Sequence, residues 1–282
     1  MKIGIGIPNQ VRNVDPTIIP RWAARSEEAG FSTLGTVGRI VYPGVMDTVA
    51  LAAAAGATTR IGLFTNVLLA PVWPATLLAK EIAGIDGVSG GRLTLGIGIG
   101  GRPDDFVAEG LPATGLGRRL DATIETFRSV WAGEVLEGST NPAVPAGTRQ
   151  VPLMFGGMAA ASFARMARVG EGYIGGSAPA PMIAPAFDAA RTAWRDAGRE
   201  GSPHLVAITY FAIADNARGK ENVFDYYSVS GDYAAIATSV VRDVAGVRES
   251  IKEFEAIGAD ELVFNPALSD LDEVSRLAEI VF

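Results

Sequence analysis

Two glycine-rich segments contain the residues best suited to bind a charged ligand. Gly156, Gly157 and Met158 directly follow a short apolar segment and precede a helix-like one, and Gly176 and Ser177 end the next apolar segment. Glycine lets the backbone approach an anion closely, and the free N–H groups at a helix start point at that anion. Each segment alone is also typical of an ordinary turn. As the ends of neighbouring strands, the two together predict a phosphate-binding cup.

Two other segments are suited to a flat ligand. Residues 96–101 contain the spacing G-x-G-x-x-G, and Asp121 follows further along the chain. A dinucleotide fingerprint needs that acidic residue at the end of a second strand, whereas Asp121 falls within a helix-like segment. We therefore interpret Gly98 and Gly100 as part of a glycine-lined strand end that leaves room for a flat ligand. Asn66, near the end of another apolar segment, could present a polar edge to an aromatic ring.

Reactive side chains are few elsewhere. Arg39 and Tyr42 are the reactive-looking groups of the segment 38–44, where a solvated surface arginine is an equally good interpretation. The chain has no cysteine and one histidine, which excludes thiolate nucleophiles, disulfides and multi-histidine metal sites. That histidine, His204, lies just before a predicted strand, on the face of a barrel that usually serves stability. We expect it to be structural, and we expect no metal.

Composition narrows the class of protein. The formal net charge is −7 over 282 residues, which argues against affinity for nucleic acid. No apolar run reaches the roughly 18 residues that a membrane span needs. The first residues also lack the charged region, apolar core and cleavage site of a signal peptide. We therefore expect a cytoplasmic protein that binds neither nucleic acid nor a membrane.

Strand-like and helix-like segments alternate along the chain and must position these groups. Because strands that alternate with helices indicate a parallel sheet, eight such units predict an α/β fold, a (β/α)8 TIM barrel. We expect one domain over residues 1–282, with a loop-rich insertion around 134–151, and an open doubly wound sheet is the alternative. The predicted strands are 2–7, 31–37, 60–69, 93–99, 152–155, 173–175, 205–214 and 262–265, and the predicted helices are 16–29, 47–57, 73–85, 120–131, 159–169, 184–197, 233–257 and 271–281.

One long segment resembles a known family. Residues 77–98 read LLAKEIAGIDGVSGGRLTLGIG, which is similar to the LLAKE-A-LD-LSGGRL-LG-G segment of the bacterial luciferase-like, flavin-dependent oxidoreductases and monooxygenases. Further matches lie at 28–31, at 152–157 with 167–173, and at 257–263. The resemblance extends from Met1 to the C-terminus. It implies a (β/α)8 barrel with FMN, or the deazaflavin coenzyme F-420, at the C-terminal ends of the strands.

The resemblance also assigns cofactor contacts residue by residue. The phosphate would lie at the cup predicted above, and the ring would pack on a bulge after the third strand that often contains a cis peptide bond, here Asn66–Val67. The end of the fourth strand, from Gly98 to Gly101, would follow the edge of the ring. The cofactor-binding residues that it implies are Asn66, Val67, Gly98, Gly100, Gly156, Gly157, Met158, Gly176 and Ser177.

The sequence departs from the family at two positions that carry protons in many members. An acidic residue followed by histidine after the second strand is replaced by Gly38 and Arg39, and a glutamate after the fourth strand by Gly101. Arginine stays charged, so Arg39, with Tyr42 beside it, would act electrostatically instead of as an acid or base. These two are our candidate catalytic residues. The departure argues against a specific luciferase or sugar-dehydrogenase activity.

The leading hypothesis is a monooxygenase that uses reduced FMN and oxygen on a small apolar substrate. A hydride-transfer enzyme that uses F-420 is the first alternative, and a flavin-binding protein without catalysis is the second. A non-flavin barrel that binds a phosphorylated metabolite is less favoured because no pair of Lys and Glu stands at strand ends. The expected partners are a small-molecule substrate, a flavin reductase that supplies reduced flavin, and a second copy of the chain.

Overall fold

Eight parallel strands close into a barrel. The computed structural model describes residues 1–228 and 238–282. The strands are β1 (Lys2–Gly6), β2 (Thr33–Thr36), β3 (Gly62–Thr65), β4 (Leu68–Leu69), β5 (Leu93–Gly98), β6 (Leu153–Gly156), β7 (Gly172–Ile174), β8 (His204–Phe211) and β9 (Glu261–Pro266). The two-residue β4 continues the line of β3, and both pair with β5, while β9 pairs with β1. The predicted (β/α)8 barrel is confirmed, and the open sheet is excluded.

Helices surround the barrel and follow the strands in turn. They are α1 (Ile18–Ala29), α2 (Asp47–Ala57), α3 (Ala75–Ser89), α4 (Asp104–Val107), α5 (Leu116–Trp131), α6 (Ala160–Val169), α7 (Ala180–Asp196), α8 (Asn216–Tyr227), α9 (Val244–Ala256) and α10 (Asp272–Val281). Residues 134–151 contain neither a helix nor a strand. Among the described residues, no helix combines the length and the apolar character that crossing a bilayer requires.

Two layers of apolar side chains hold the barrel together. The larger lies between the strands and the helices and includes Trp22, Phe127 and Phe187, all without solvent exposure. A smaller cluster includes Phe64 and Val263 and extends over residues from β3, β6, β7, β8 and β9. Because both faces of each strand are buried, the strands are continuous apolar runs, which is why the sequence pattern identified them.

The structure corrects two predicted elements and adds one helix. The predicted strand 60–69 is interrupted at Asn66–Val67, where the backbone contains the expected cis peptide bond. The predicted helix 233–257 is wrong over 239–243, because Val241 pairs with Phe211 and α9 begins only after Asp243, whose carboxylate accepts a hydrogen bond from the N–H of Gly246 at 2.8 Å. The part of that prediction at 233–237 lies outside the described residues. Helix α8 was not predicted, because it buries few of its residues.

Candidate active site

A cavity of about 400 Å³ lies at the C-terminal ends of the strands. Seven of the nine predicted cofactor residues line it, namely Asn66, Val67, Gly156, Gly157, Met158, Gly176 and Ser177. Gly98 and Gly100 do not. The other lining residues are Val37, Tyr173, Ile174, Gly175, Ala178, Met182, Ile183, Ile208, Tyr210, Tyr227 and Asn265. Within the described part of the chain, no charged side chain lines the cavity.

The two glycine-rich segments meet at one end of this cavity. Strands β6 and β7 are neighbours, with Gly156 paired to Ile174, so the segments that follow them run side by side. A Cβ at Gly176 would meet no atom of the described chain within 4 Å, which leaves the cup open. Gly157 has a φ of 109° and a Cβ there would lie 2.8 Å from Ser162 Oγ, so a side chain at this position would be strained.

Backbone donors remain available at this end. Among the described residues, the N–H groups of Gly157, Met158, Gly176 and Ser177 donate no hydrogen bond to the protein. Helix α6 begins just beyond the first segment, and the partial positive charge of a helix start attracts an anion. The arrangement can therefore hold a phosphate by backbone donors and a hydroxyl, without a cationic side chain.

The other end of the cavity has a polar floor made by Asn66 and Asn265. They are 9% and 1% exposed, and both amide atoms of Asn66 and the Oδ1 of Asn265 have no hydrogen-bond partner among the described residues. Each side chain fits because a glycine stands beside it: a Cβ at Gly35 would contact Asn66 Nδ2, and one at Gly6 would contact Asn265 Oδ1. An unpaired buried amide costs about 1–3 kcal/mol, so a ligand with donors and acceptors on its edge fits this floor.

Val67 lies between the floor and the cup. A Cβ at Gly98 would lie 2.7 Å from Val67 Cγ2, and a Cβ at Gly156 would lie 3.2 Å from Val67 Cγ1. Gly98 therefore acts by giving Val67 its space and not by lining the cavity. Gly100 has a φ of 75° and packs near Leu69 and Phe106, so it too supports the site from outside.

Hydroxyl groups supply the remaining polar surface. Ser177 Oγ lies 2.8 Å from Tyr227 Oη, which lies 3.2 Å from Tyr210 Oη. The hydroxyl of Tyr173 donates to the carbonyl of Gly157 at 3.1 Å. Burial raises the pKa of Tyr173 to about 12 and that of Tyr210 well above its ordinary value, so both stay protonated near neutral pH.

The sequence reasoning missed the three tyrosines and Asn265. Tyr210 and Asn265 are close to the C-terminal ends of β8 and β9, so the rule that found the glycine segments applies to them as well. Tyr227 ends α8, a helix whose weak apolar pattern gave no signal.

The candidate catalytic residues lie outside this cavity. Arg39 is not a solvated surface arginine: its side chain is 4% exposed, and its Nη2 donates to Asp104 Oδ2 at 2.7 Å. Its Nη1 donates to the carbonyl of Tyr226 at 3.2 Å. The hydroxyl of Tyr42 donates to Asp225 Oδ2 at 2.7 Å, and burial together with this carboxylate raises the pKa of Tyr42.

Arg39 and Tyr42 instead line a smaller neighbouring cavity of about 190 Å³, which shares Val37 with the larger one. Their contacts join the loop after β2 to α4 and to the end of α8. These contacts are structural, and the catalytic assignment of the two residues stays a prediction.

Other chemistries find no support in the described residues. No group of three or more His, Cys, Asp or Glu side chains there is placed to hold a metal ion. Asp121 lies within α5 and binds Arg165 at 2.8 Å and Arg168 at 3.1 Å, so it is engaged in ion pairs and does not follow a strand. His204 begins β8, one residue earlier than predicted, and lies at the opposite end of the strands from the cavity.

Comparison with known families shows which protein family the chain belongs to. The sequence matches the family model described as luciferase-like monooxygenase over residues 1–239. The chain belongs to the luciferase-like monooxygenase family. Members of this family are flavin-dependent oxidoreductases and monooxygenases, and the resemblance drawn from the motifs at 77–98 is confirmed.

Individual relatives are more distant. An uncharacterised protein of Mycobacterium tuberculosis is 30% identical over 186 residues, which cover 56% of this chain and 65% of the relative, so the match spans less than two thirds of that protein. An F420-dependent secondary alcohol dehydrogenase solved with an F420–acetone adduct aligns with a TM-score of 0.79 at 14% identity, over 99% of this chain and 98% of that one.

The oxygenating constituent of 3,6-diketocamphane monooxygenase from Pseudomonas putida, solved with FMN, aligns with a TM-score of 0.75 at 16% identity, over 99% and 96% of the two chains. At such identities, these two luciferase-like structures establish the shared fold alone.

Proposed function

We propose that this chain is a flavin-dependent monooxygenase that binds reduced FMN in the 400 Å³ cavity and uses oxygen on a small apolar substrate. One observation carries the proposal: a phosphate cup and a polar floor open into one uncharged cavity. FMN has a phosphate at one end and a ring with donors and acceptors on its edge at the other. Family membership supports the same class of reaction.

The residues present fit FMN. Gly156, Gly157, Gly176 and Ser177 would hold the phosphate, and the unpaired amide atoms of Asn66 and Asn265 would meet the polar edge of the ring. When bound, the flavin supplies the redox chemistry. The protein supplies position and a partly apolar lining that excludes water, which suits an apolar substrate.

The deazaflavin coenzyme F-420, as a hydride carrier, is a second candidate that one observation favours. No lining residue of the cavity is Lys or Arg, and the sequence of residues 229–237, which the structure does not describe, contains neither. FMN carries a phosphomonoester with up to two negative charges, whereas F-420 carries a phosphodiester with one. For the phosphate group alone, placing one charge in the uncharged cup costs less than placing two.

Binding in the dark tests the proposal and separates the candidates. The purified full chain is titrated with FMN and with F-420, and the quenching of cofactor fluorescence is followed. Gly176→Ala adds a methyl group to the open cup without a clash, so we expect it to weaken binding of either cofactor. Gly101→Ala, whose Cβ also meets no described atom within 4 Å, lies outside the cavity and is the matched control. Absence of binding by the wild-type chain would contradict both candidates.

Turnover tests whether the bound cofactor is used. Reduced FMN is supplied chemically or by a flavin reductase, which we propose as the partner, together with oxygen and a panel of aldehydes, ketones and sulfonates. Product that depends on both substrate and oxygen supports the monooxygenase. Tight binding with no product from either cofactor would favour the flavin-binding protein without catalysis.

A further inference from the structure

A row of three hydroxyl groups runs along the wall of the cavity, away from the phosphate cup. Ser177 stands at the cup, Tyr227 is next, and Tyr210 is the third, with oxygen separations of 2.8 and 3.2 Å. Tyr210 is 2% exposed, and its ring meets the ring of Tyr227 edge to face at 6.1 Å between centroids. All three residues line the cavity. The row therefore connects the cup to a buried tyrosine on β8.

The row can donate a hydrogen bond at its Ser177 end. Each hydroxyl group carries one proton and can accept hydrogen bonds. Either oxygen of each pair can be the donor, so the row can run toward Ser177 or toward Tyr210. A phosphate is an acceptor and has no donor when ionised. An anion at Ser177 therefore takes the proton of Ser177, and in the two contacts of the row Tyr227 then donates to Ser177 and Tyr210 donates to Tyr227.

The orientation of the hydroxyl row toward Ser177 matters because the cavity lining carries no charge. An anion in the cup has backbone N–H groups and Ser177 as partners, and no Lys or Arg side chain lines the cavity within the described chain. Hydrogen bonds in a chain polarise one another, so a donor that itself accepts a bond is a better donor. Tyr227 and Tyr210 can thereby strengthen the bond from Ser177 without touching the anion.

Two arginines fix the position of Tyr227 from outside the cavity. The carbonyl of Tyr226, at the end of α8, accepts hydrogen bonds from Arg39 Nη1 at 3.2 Å and from Arg102 Nη2 at 3.1 Å. The Arg102 guanidinium also lies over the ring of Tyr227, 5.1 Å from its centroid. Cations at the C-terminal end of a helix are favourable, so these contacts hold the end of α8 over the barrel.

We propose that Tyr227 and Tyr210 are positioning residues for the phosphate of the cofactor, acting through Ser177 as a row of aligned hydroxyl donors. This inference rests on the proposed function, since it needs a cofactor with a phosphate in the cup. In this proposal, hydroxyl groups, and not a cationic side chain, give the site its preference for a phosphorylated cofactor.

Paired ligands with and without phosphate test the row. The full chain and its variants are titrated in the dark with FMN and riboflavin, and in parallel with F-420 and its phosphate-free core, by fluorescence. A hydrogen bond to a charged group contributes about 1.5–3 kcal/mol, so we expect Ser177→Ala to weaken the phosphorylated ligand about tenfold or more. We expect Tyr227→Phe to weaken it roughly threefold to tenfold. The phosphate-free ligand should change less than about twofold in both variants.

The double variant and a matched control complete the experiment. In the Ser177→Ala background, Tyr227→Phe should cost little more, because the row no longer reaches the anion. Tyr226→Phe removes a hydroxyl group from the same helix, one that donates to the carbonyl of Gly38 at 3.4 Å outside the cavity. We expect that control to leave the preference for the phosphorylated ligand unchanged.

Three results would overturn the inference. Equal weakening of both ligands of a pair by Tyr227→Phe would mean a general structural role. Additive losses in the double variant would mean that Tyr227 does not act through Ser177. Equal affinity of the wild-type chain for both ligands of a pair would mean that the cup does not bind the phosphate, although the flavin binds. If the chain bound none of the four ligands, the proposed function would be refuted as well.

Discussion

Replacing Asp47 by asparagine should stabilise this protein at neutral pH. Asp47 is the first residue of α2 and is 2% exposed, and its Oδ1 accepts a hydrogen bond from the N–H of Thr48 at 2.9 Å. A Cβ at Gly38 would lie 2.7 Å from Asp47 Oδ2, so the loop after β2 covers the carboxyl group closely. Burial, together with the nearby Glu81, raises the pKa of Asp47 to about 6, against the hydrogen bond from Thr48, which lowers it.

The size of the effect follows from the pKa difference. An aspartate in the unfolded chain has a pKa of about 3.9, and each unit of difference corresponds to about 1.4 kcal/mol. The raised pKa of Asp47 in the folded state therefore costs about 3 kcal/mol once the group is ionised in both states. Because the pKa of Asp47 is higher in the folded state, this group does not lower the stability of the wild-type chain below about pH 4, and its destabilising effect grows until the pH exceeds about 6. Asparagine keeps the acceptor for Thr48 and carries no charge.

Thermal unfolding at several pH values tests this reasoning. With an unfolding entropy of about 2.1 cal/mol/K per residue, 3 kcal/mol over 282 residues corresponds to a Tm about 5 °C higher for Asp47→Asn at pH 8. The two Tm values should converge near pH 4. Asp270→Asn is the control of opposite sign, because a hydrogen bond from Arg276 at 2.7 Å lowers the pKa of Asp270. An Asp47→Asn variant that is no more stable at pH 8, or whose advantage is the same at every pH, would refute the argument.

Three further changes probe the supports of the site. Arg39→Ala should lower the free energy of unfolding by about 3 kcal/mol in a denaturant titration, because it removes the cation that lies 3.8 Å from the buried carboxylate of Asp105, and a loss below about 1 kcal/mol would contradict this. Gly98→Ala should push Val67 toward the cavity and weaken FMN binding by fluorescence titration, unlike Gly101→Ala, which meets no described atom. Burial opposes ionisation of Glu27, but hydrogen bonds from the N–H groups of residues 59–61 outweigh burial and lower the pKa of Glu27 to about 2. The stability advantage of the wild-type chain over Glu27→Gln should therefore be full at pH 7 and disappear between about pH 4.5 and 2. A difference in Tm that stays constant with pH would refute this prediction.

Sequence patterns predicted the barrel and the cup for physical reasons that are local. Strands buried on both faces are apolar throughout, and helices between them carry an apolar face, so alternation alone indicates the class of fold. Glycine pairs directly after two such strands mark places where a side chain is excluded. Because adjacent parallel strands end at the same edge of the barrel, the meeting of Gly157 with Gly176 followed from chain order.

The partners of Arg39 could not be predicted in the same way. Its acceptors are Asp104 and the carbonyl of Tyr226, which are distant in sequence and belong to two different elements. An arginine in a short loop has the same local pattern whether it is solvated or buried. Helix α8 was missed for a related reason, since Val223 and Tyr226 are its main buried side chains and the rest of its surface is polar.

The glycines at the strand ends explain why this barrel has a cavity at all. The interior of such a barrel is ordinarily filled by layers of branched side chains. Here Gly6 and Gly35 are at or next to the last residue of β1 and β2, and the space of their missing side chains is taken by the amides of Asn265 and Asn66. Polar groups thus enter a layer that would otherwise be apolar.

Glycines also make room for a side chain on the opposite wall of the cavity, where Gly98 and Gly156 end β5 and β6 and both lie against Val67. Substituting a larger residue at either position would displace Val67 into the space that a ring would occupy. Further down, Phe64 and Met154 belong to a cluster of buried apolar side chains. The candidate cofactor site therefore occupies the outermost layer of the barrel core, where glycines stand in place of larger side chains, and the closed, apolar remainder of that core can hold the amides and the cup in fixed positions.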